Sequence, residues 1–135
     1  MNTMNIPFVM ASAFRPEYTF EENMERLEIF KTHLSTIGFD KKEVCVGYWE
    51  GECKLSLKIT VGGIHDVCRI SKIASLVYEQ DAVLYVDSLN VAHIMTYDTV
   101  INGTCGGWLG EWVKVQNIEG LKGYTATKDG FYSVT

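Results

Sequence analysis

Glu52-Cys53-Lys54-Leu55-Ser56-Leu57-Lys58-Ile59-Thr60-Val61 alternates polar and apolar residues without a break. A strand turns successive side chains to opposite faces of its sheet. Cys53, Leu55, Leu57, Ile59 and Val61 therefore share one face, and Glu52, Lys54, Ser56, Lys58 and Thr60 the other. The apolar face is expected to pack on a core and the polar face to meet solvent or a partner. Just upstream, Val44 to Trp49 reads as another strand, and the Glu50-Gly51 turn joins the two as a hairpin.

On the N-terminal side of this hairpin, the sequence marks a helix clearly. Thr19 can cap it, and Glu22, three residues later, completes a capping box. Glu21, Glu22 and Glu25 suit the positive end of its dipole. Phe20, Met24, Leu27, Phe30, Leu34 and Ile37 step by three or four and form its apolar stripe, and Gly38 ends it. Residues 6–14 are mostly apolar and read as a buried strand. A secretion signal fits them less well, because no Lys or Arg precedes the apolar run and Pro7 interrupts it.

On the C-terminal side, Gly62-Gly63 breaks the alternation and Asp66 is expected to cap a second helix. Val67, Ile70, Ile73, Ala74 and Val77 form that helix's apolar face. Ala82–Val86 is a short, continuously apolar strand. The order strand, helix, strand, strand, helix, strand predicts a ferredoxin-like (βαββαβ) α+β sandwich, with two helices on one face of an antiparallel sheet. Extra C-terminal strands are expected at 91–97, 108–115, 124–127 and 131–134, with a loop over Gly103–Gly110 and a turn at Lys128-Asp129-Gly130. The open sheet face suggests self-association, with sites between subunits.

The 135 residues suit a single domain spanning 1–135, and hydrophobic content of 47% supplies a core. A net charge of −5 and a pI near 5.1 argue against nucleic acid as a partner. No basic stripe or long apolar run points to a membrane. The four cysteines, Cys45, Cys53, Cys68 and Cys105, form no CxxC pair, which suits a reduced, cytoplasmic setting.

No metal site is expected, since His33, His65 and His93 fall on a helix, a loop and a strand without ligand spacing. Cys68, near a helix start, is the one cysteine whose thiol could be activated by position. Gly62-Gly63 lacks the rest of a phosphate-loop pattern and reads as a turn.

Two acidic stretches stand out. Glu79-Gln80-Asp81 puts two acids at a helix C-terminus, where the dipole disfavours them and Gly or Asn would be the cheaper choice. This fits either a polar or cationic ligand or a solvated turn. Glu50 and Glu52 lie beside Tyr48 and Trp49, a combination that suits a cationic organic ligand, because ring faces attract a cation and an acid neutralises it. A solvated turn with aromatics packed on the sheet fits equally.

With these residues in view, the chain resembles the coliphage S-adenosylmethionine hydrolases, now better described as lyases. The resemblance rests on Ser12-Ala13-Phe14-Arg15 with Asn23-Met24, on Glu79-Gln80-Asp81 with Val83-Leu84, and on Gly123-Tyr124-Thr125. It implies a ferredoxin-like core, a PII-like homotrimer with sites between subunits, and S-adenosylmethionine as substrate. It also implies a reaction needing no cofactor, no metal and no protein nucleophile. The substrate's own carboxylate displaces 5′-methylthioadenosine and leaves homoserine lactone.

By the same resemblance, Glu52 binds the ammonium or polar groups and Tyr48 orients the substrate, as the catalytic pair. Glu79, Gln80 and Asp81 contact adenosine hydroxyls or fix the interface, and Ser12 and Phe14 are further substrate contacts. Cys53 stands where the relatives carry a second acid, which departs from a paired-carboxylate arrangement. The alternatives are a hydrolase releasing homoserine, a non-catalytic PII-like ligand-binding trimer, or an inhibitor of a host protein such as S-adenosylmethionine synthase.

Overall fold

In the computed structural model the alternating strand lies within the sheet as expected, but its polar face is turned inward. The structure describes residues 6–49, 52–96, 98–99 and 108–135. The expected Glu50-Gly51 turn, Cys105 and the start of the glycine-rich loop lie outside these residues. The elements in chain order are β1 (Phe8–Ala11), α1 (Phe20–Thr36), β2 (Lys42–Trp49), β3 (Glu52–Thr60), α2 (Ile64–Leu76), β4 (Val83–Val86), β5 (Val91–Met95), β6 (Trp108–Val115), β7 (Gly123–Thr127) and β8 (Gly130–Val134). β6 has the bounds expected of the strand at 108–115, so the overlapping end of the expected loop, Trp108–Gly110, is strand.

All pairings are antiparallel, and the strands close into a barrel in the order β1-β3-β2-β7-β8-β6-β5-β4. This corrects the expected ferredoxin-like sandwich. Such a sandwich would leave β2 and β4 as free edges. Here β7 pairs with β2 through Val46↔Ala126 and Tyr48↔Tyr124, and β5 pairs with β4 through Leu84↔Ile94. The C-terminal strands satisfy the edge N–H and C=O groups that an open sheet would expose, and closure removes both edges.

Closure gives β3 two insides. Leu57 and Ile59, with Val9 and Ala11 of β1, point out of the barrel toward the helices. There they pack with Leu27, Phe30 and Leu34 of α1 and Val67, Ile70 and Ala74 of α2. Each buried Val, Leu, Ile or Phe among them contributes about 1.5–3 kcal/mol relative to exposure. The alternate residues point into the lumen, where Phe8, Met10, Cys45, Val86, Ala92 and Trp112 form a second cluster. Trp112 stacks on Tyr132 at 5.4 Å between centroids and meets Phe8 edge-on at 5.5 Å. The barrel is thus filled at its waist and is not a pore. Lys54, Ser56 and Lys58 face inward around this plug, opposite Gly47, Cys45 and Glu43.

The capping box at α1 forms as expected: Glu22 N donates to Thr19 Oγ1 at 3.1 Å and Thr19 N to Glu22 Oε1 at 3.0 Å. The stripe is rotated, however, with Phe20 exposed and Asn23 buried. Asn23 clamps the loop ahead of the helix, accepting from Arg15 N at 2.9 Å and donating to Arg15 O at 3.0 Å. The cap of α2 is Gly63, not Asp66. Asp66 lies in the first turn and accepts from Gly62 N at 2.8 Å. The helices cover only part of the barrel. On the face formed by β2, β7 and β8, Val44 and Phe131 remain exposed.

Candidate active site

The end of α2 is held in a conformation that its sequence does not favour. Glu79 has φ of 58°, the left-handed position that glycine takes most easily at a helix C-terminus. A hydrogen bond from Gln80 N to Ala74 O at 3.0 Å closes the turn. A non-glycine residue there costs on the order of 1–2 kcal/mol. Two arginines offset this by binding carbonyls that the ended helix leaves free. Arg15 Nη1 donates to Glu79 O at 2.7 Å, and Arg26 Nη2 to Tyr78 O at 2.7 Å. Arg26 Nε also reaches Ala13 O at 2.8 Å, so one guanidinium ties the loop after β1 to the junction before β4.

Between that loop, that junction and the mouth of the barrel lies a crevice with two adjoining parts. One, of about 490 Å³, is walled by Ser12, Glu79, Gln80, Asp81 and Ile94 and reaches lumen-facing Ser56. The other, of about 620 Å³, carries Tyr18, Tyr48, Glu52, Cys53 and Tyr124. They meet over Phe14, Arg15, Gly47, Lys54 and Thr125, which line both. Each part falls in the range of roughly 300–1,000 Å³ usual for small-molecule sites.

All seven residues singled out from sequence line this crevice, but they are not equivalent. Ser12 is buried and its hydroxyl is committed, donating to Leu55 O at 2.7 Å and accepting from Phe14 N at 3.0 Å. Gln80 is likewise buried, and its amide nitrogen donates to Phe14 O and Tyr78 O, both at 3.1 Å. These two build the wall. Phe14 contributes a ring packed edge-on against Phe20 at 6.1 Å.

Tyr48 stacks on Tyr124 at 4.6 Å, pairing β2 with β7. Its neighbour across the β2–β3 ladder is Cys53, whose hydrogen bond pushes the phenol up from its ordinary value. Tyr48 therefore stays protonated at neutral pH and can orient a polar group without carrying charge. Glu52 is exposed at the start of β3 and makes no side-chain hydrogen bond or ion pair with any described residue. The Glu79 carboxylate is 3.8 Å from Arg26 Nη1 and more than half exposed, so the pair is weak.

Sequence reasoning expected Cys53 to pack inward with Leu55. It does share that face of β3, but it lies beyond the reach of the helices and is exposed in the crevice. Cys68 lies within α2 and does not line the crevice. Among the described residues, no three His, Cys, Asp or Glu side chains converge as metal ligands would. No helix among them is long and apolar enough to cross a membrane.

Sequence reasoning gives no site role to Gly47 or Lys54, and to Thr125 only a place in the Gly123-Tyr124-Thr125 motif. Lys54 and Thr125 sit on either side of Gly47 on the lumen face, at the junction of the two parts. A glycine inside an otherwise unbroken strand was the available signal.

The crevice thus combines aromatic faces, carboxylates and hydroxyl groups, which suits a flat heterocycle joined to a charged arm. No curated protein matches the chain. A sequence model describing the S-adenosylmethionine lyase family matches residues 9–135, and the chain belongs to that family.

Proposed function

We propose that the crevice at the barrel mouth cleaves S-adenosylmethionine within the substrate itself, giving 5′-methylthioadenosine and L-homoserine lactone. The substrate carboxylate oxygen forms a bond to the γ-carbon while the γ-carbon–sulfur bond breaks. Sulfur takes the electron pair, so the sulfonium becomes a neutral thioether, and neither water nor a proton enters the balance. The demand on the protein is to fold the methionine arm so that oxygen and γ-carbon meet in line. Positioning of this kind can supply up to about 7–11 kcal/mol of barrier reduction.

The observation that carries this reading is the convergence of Glu52, Tyr48, Glu79 and Asp81 on one crevice of small-molecule size, from β2, β3 and the end of α2. Glu52 attracts the substrate's positive end, Tyr48 orients it, and Glu79 and Asp81 meet the ribose hydroxyls.

The assembly is a homotrimer with the crevice completed by a neighbouring subunit. The uncovered face of β2, β7 and β8, with Val44 and Phe131 exposed, supports an interface there. The cellular role is removal of the methyl donor from a bacterial cytoplasm during phage infection, a reading supported by the likeness to the coliphage enzymes.

Chromatography of products from pure protein and S-adenosylmethionine tests the chemistry. Lactone appearing first supports it, homoserine from the outset replaces it with hydrolysis, and intact substrate refutes it. Glu52→Gln should lose turnover with the fold and oligomer preserved; full activity in that variant removes Glu52 from the site. An active monomer would rule out a shared crevice.

A further inference from the structure

Two residues where the parts of the crevice meet have no role in the fold that accounts for them. Gly47 lies inside β2, where glycine packs nothing and raises the entropy lost on folding. A strand glycine is usually required by a left-handed backbone, a bulge, a close backbone neighbour or a ligand. Gly47 has no positive φ. The β2–β3 and β2–β7 registers run through it without a shift. A Cβ placed on it would meet only Lys54 O, at 3.8 Å, an ordinary contact. The remaining requirement is room for a bound molecule.

The neighbour of Gly47 on β3 is Lys54, and its neighbour on β7 is Thr125. The row Thr125, Gly47, Lys54 therefore crosses three strands on the lumen face at the junction of the crevice. Two cations line both parts, Arg15 and Lys54. Arg15 is committed, with Nε on Glu17 Oε1 and Nη1 on Glu79 O, each at 2.7 Å. The Lys54 side chain makes no hydrogen bond or ion pair with any described residue, although three acids line the same crevice.

We propose that Lys54 receives the carboxylate of the substrate's amino-acid arm, and that the bare floor at Gly47 lets this arm cross from one part of the crevice into the other. The inference rests on the reading of the site given above. In that reaction the carboxylate is the nucleophile, so its seat must hold one oxygen and leave the other free. An ammonium binds as a point charge and does so, whereas a guanidinium fork engages both oxygens. Lys54 thus fixes the attacking group in place without taking part in bond making.

The test titrates wild type, Lys54→Met, Lys54→Arg and Gly47→Val with two probes and measures kcat and KM for S-adenosylmethionine. S-adenosylhomocysteine keeps the carboxylate but carries a neutral thioether, and 5′-methylthioadenosine lacks the arm altogether. Losing one charge-assisted contact should weaken S-adenosylhomocysteine about tenfold in Lys54→Met and leave methylthioadenosine within about twofold. Lys54→Arg should recover S-adenosylhomocysteine binding but not kcat, because the fork engages the attacking oxygen. Gly47→Val should keep the thermal midpoint and weaken S-adenosylhomocysteine more than methylthioadenosine.

Equal weakening of both probes by Lys54→Met, or no weakening, overturns the assignment while the lyase reading stands. Wild-type protein that leaves S-adenosylmethionine intact overturns both.

Discussion

Replacing Arg26 by Met removes a single anchor from both walls of the crevice. In the native protein its Nε and Nη2 donate to Ala13 O at 2.8 Å and Tyr78 O at 2.7 Å, and its guanidinium lies 4.8 Å from the Tyr18 ring centroid. Ala13 and Tyr78 are buried, so both carbonyls would lose a charged donor with little access to water. A hydrogen bond to a charged group contributes about 1.5–3 kcal/mol net. Two that share one donor are not additive, and the Glu79 pair is too exposed to add much, so the expected loss is about 3 kcal/mol.

For a chain of this size that loss lowers the unfolding midpoint by roughly 10 °C. Arg26 itself lines neither part of the crevice, yet it sets the position of Phe14 and Glu79 through the backbone. Turnover should therefore fall even at temperatures where the variant is fully folded. Urea unfolding followed by circular dichroism, paired with a lyase assay at 15 °C below the variant's midpoint, measures both. A stability loss below about 1 kcal/mol with full turnover would refute the reasoning.

Gly110 has φ of 145°, and a Cβ there would run into Thr135 O, which is fixed by paired hydrogen bonds between Thr135 and Glu111. Gly110→Ala should cost about 3 kcal/mol or more by denaturation, and a cost under about 1 would show that the strand end can yield. Burial pushes the Cys45 thiol up to about 12, while Cys53 is exposed. Peptide mapping after brief iodoacetamide treatment at pH 8 should find Cys53 labelled and Cys45 not; early labelling of Cys45 would mean that the lumen opens.

Burial raises the Asp87 carboxyl, but hydrogen bonds from His93, Val91 and Leu89 outweigh it and hold the group below its ordinary value. The stability this gives is present above about pH 4 and is lost as pH falls through the lower folded value. The advantage of wild type over Asp87→Asn in urea unfolding should therefore shrink on acidification, and a constant difference would count against it.

The local elements were legible because their signals are local. Thr19 and Glu22 announced the start of α1, and the alternation of Glu52–Val61 announced β3. Closure was not legible, because alternation says that two faces differ without saying which is outside. Lys54, Ser56 and Lys58 look like a solvent face in sequence, yet they point into a lumen with polar ends. The deciding pairing, Val46 with Ala126, joins segments about 80 residues apart, and nothing in either segment names the other.

The candidate site drew notice where chemistry opposed propensity. Acids at the end of α2 fit a ligand or a solvated turn in sequence, a glycine would have served the turn better, and Glu79 does hold the left-handed backbone. Ser12 and Gln80 were harder to read, since a buried hydroxyl or amide that fastens the backbone looks the same in sequence as one that meets a ligand.

The seam between β2 and β7 also orders events during synthesis. Until residues 123–127 have left the ribosome, β2 has a partner on one side only, and its other side offers bare amides and carbonyls to any passing strand. The nascent chain is therefore most prone to sticking after its first hairpin has formed and before its last one arrives. Afterwards each of the eight described strands has a partner on both sides, and none of them offers a bare edge to another copy of the protein.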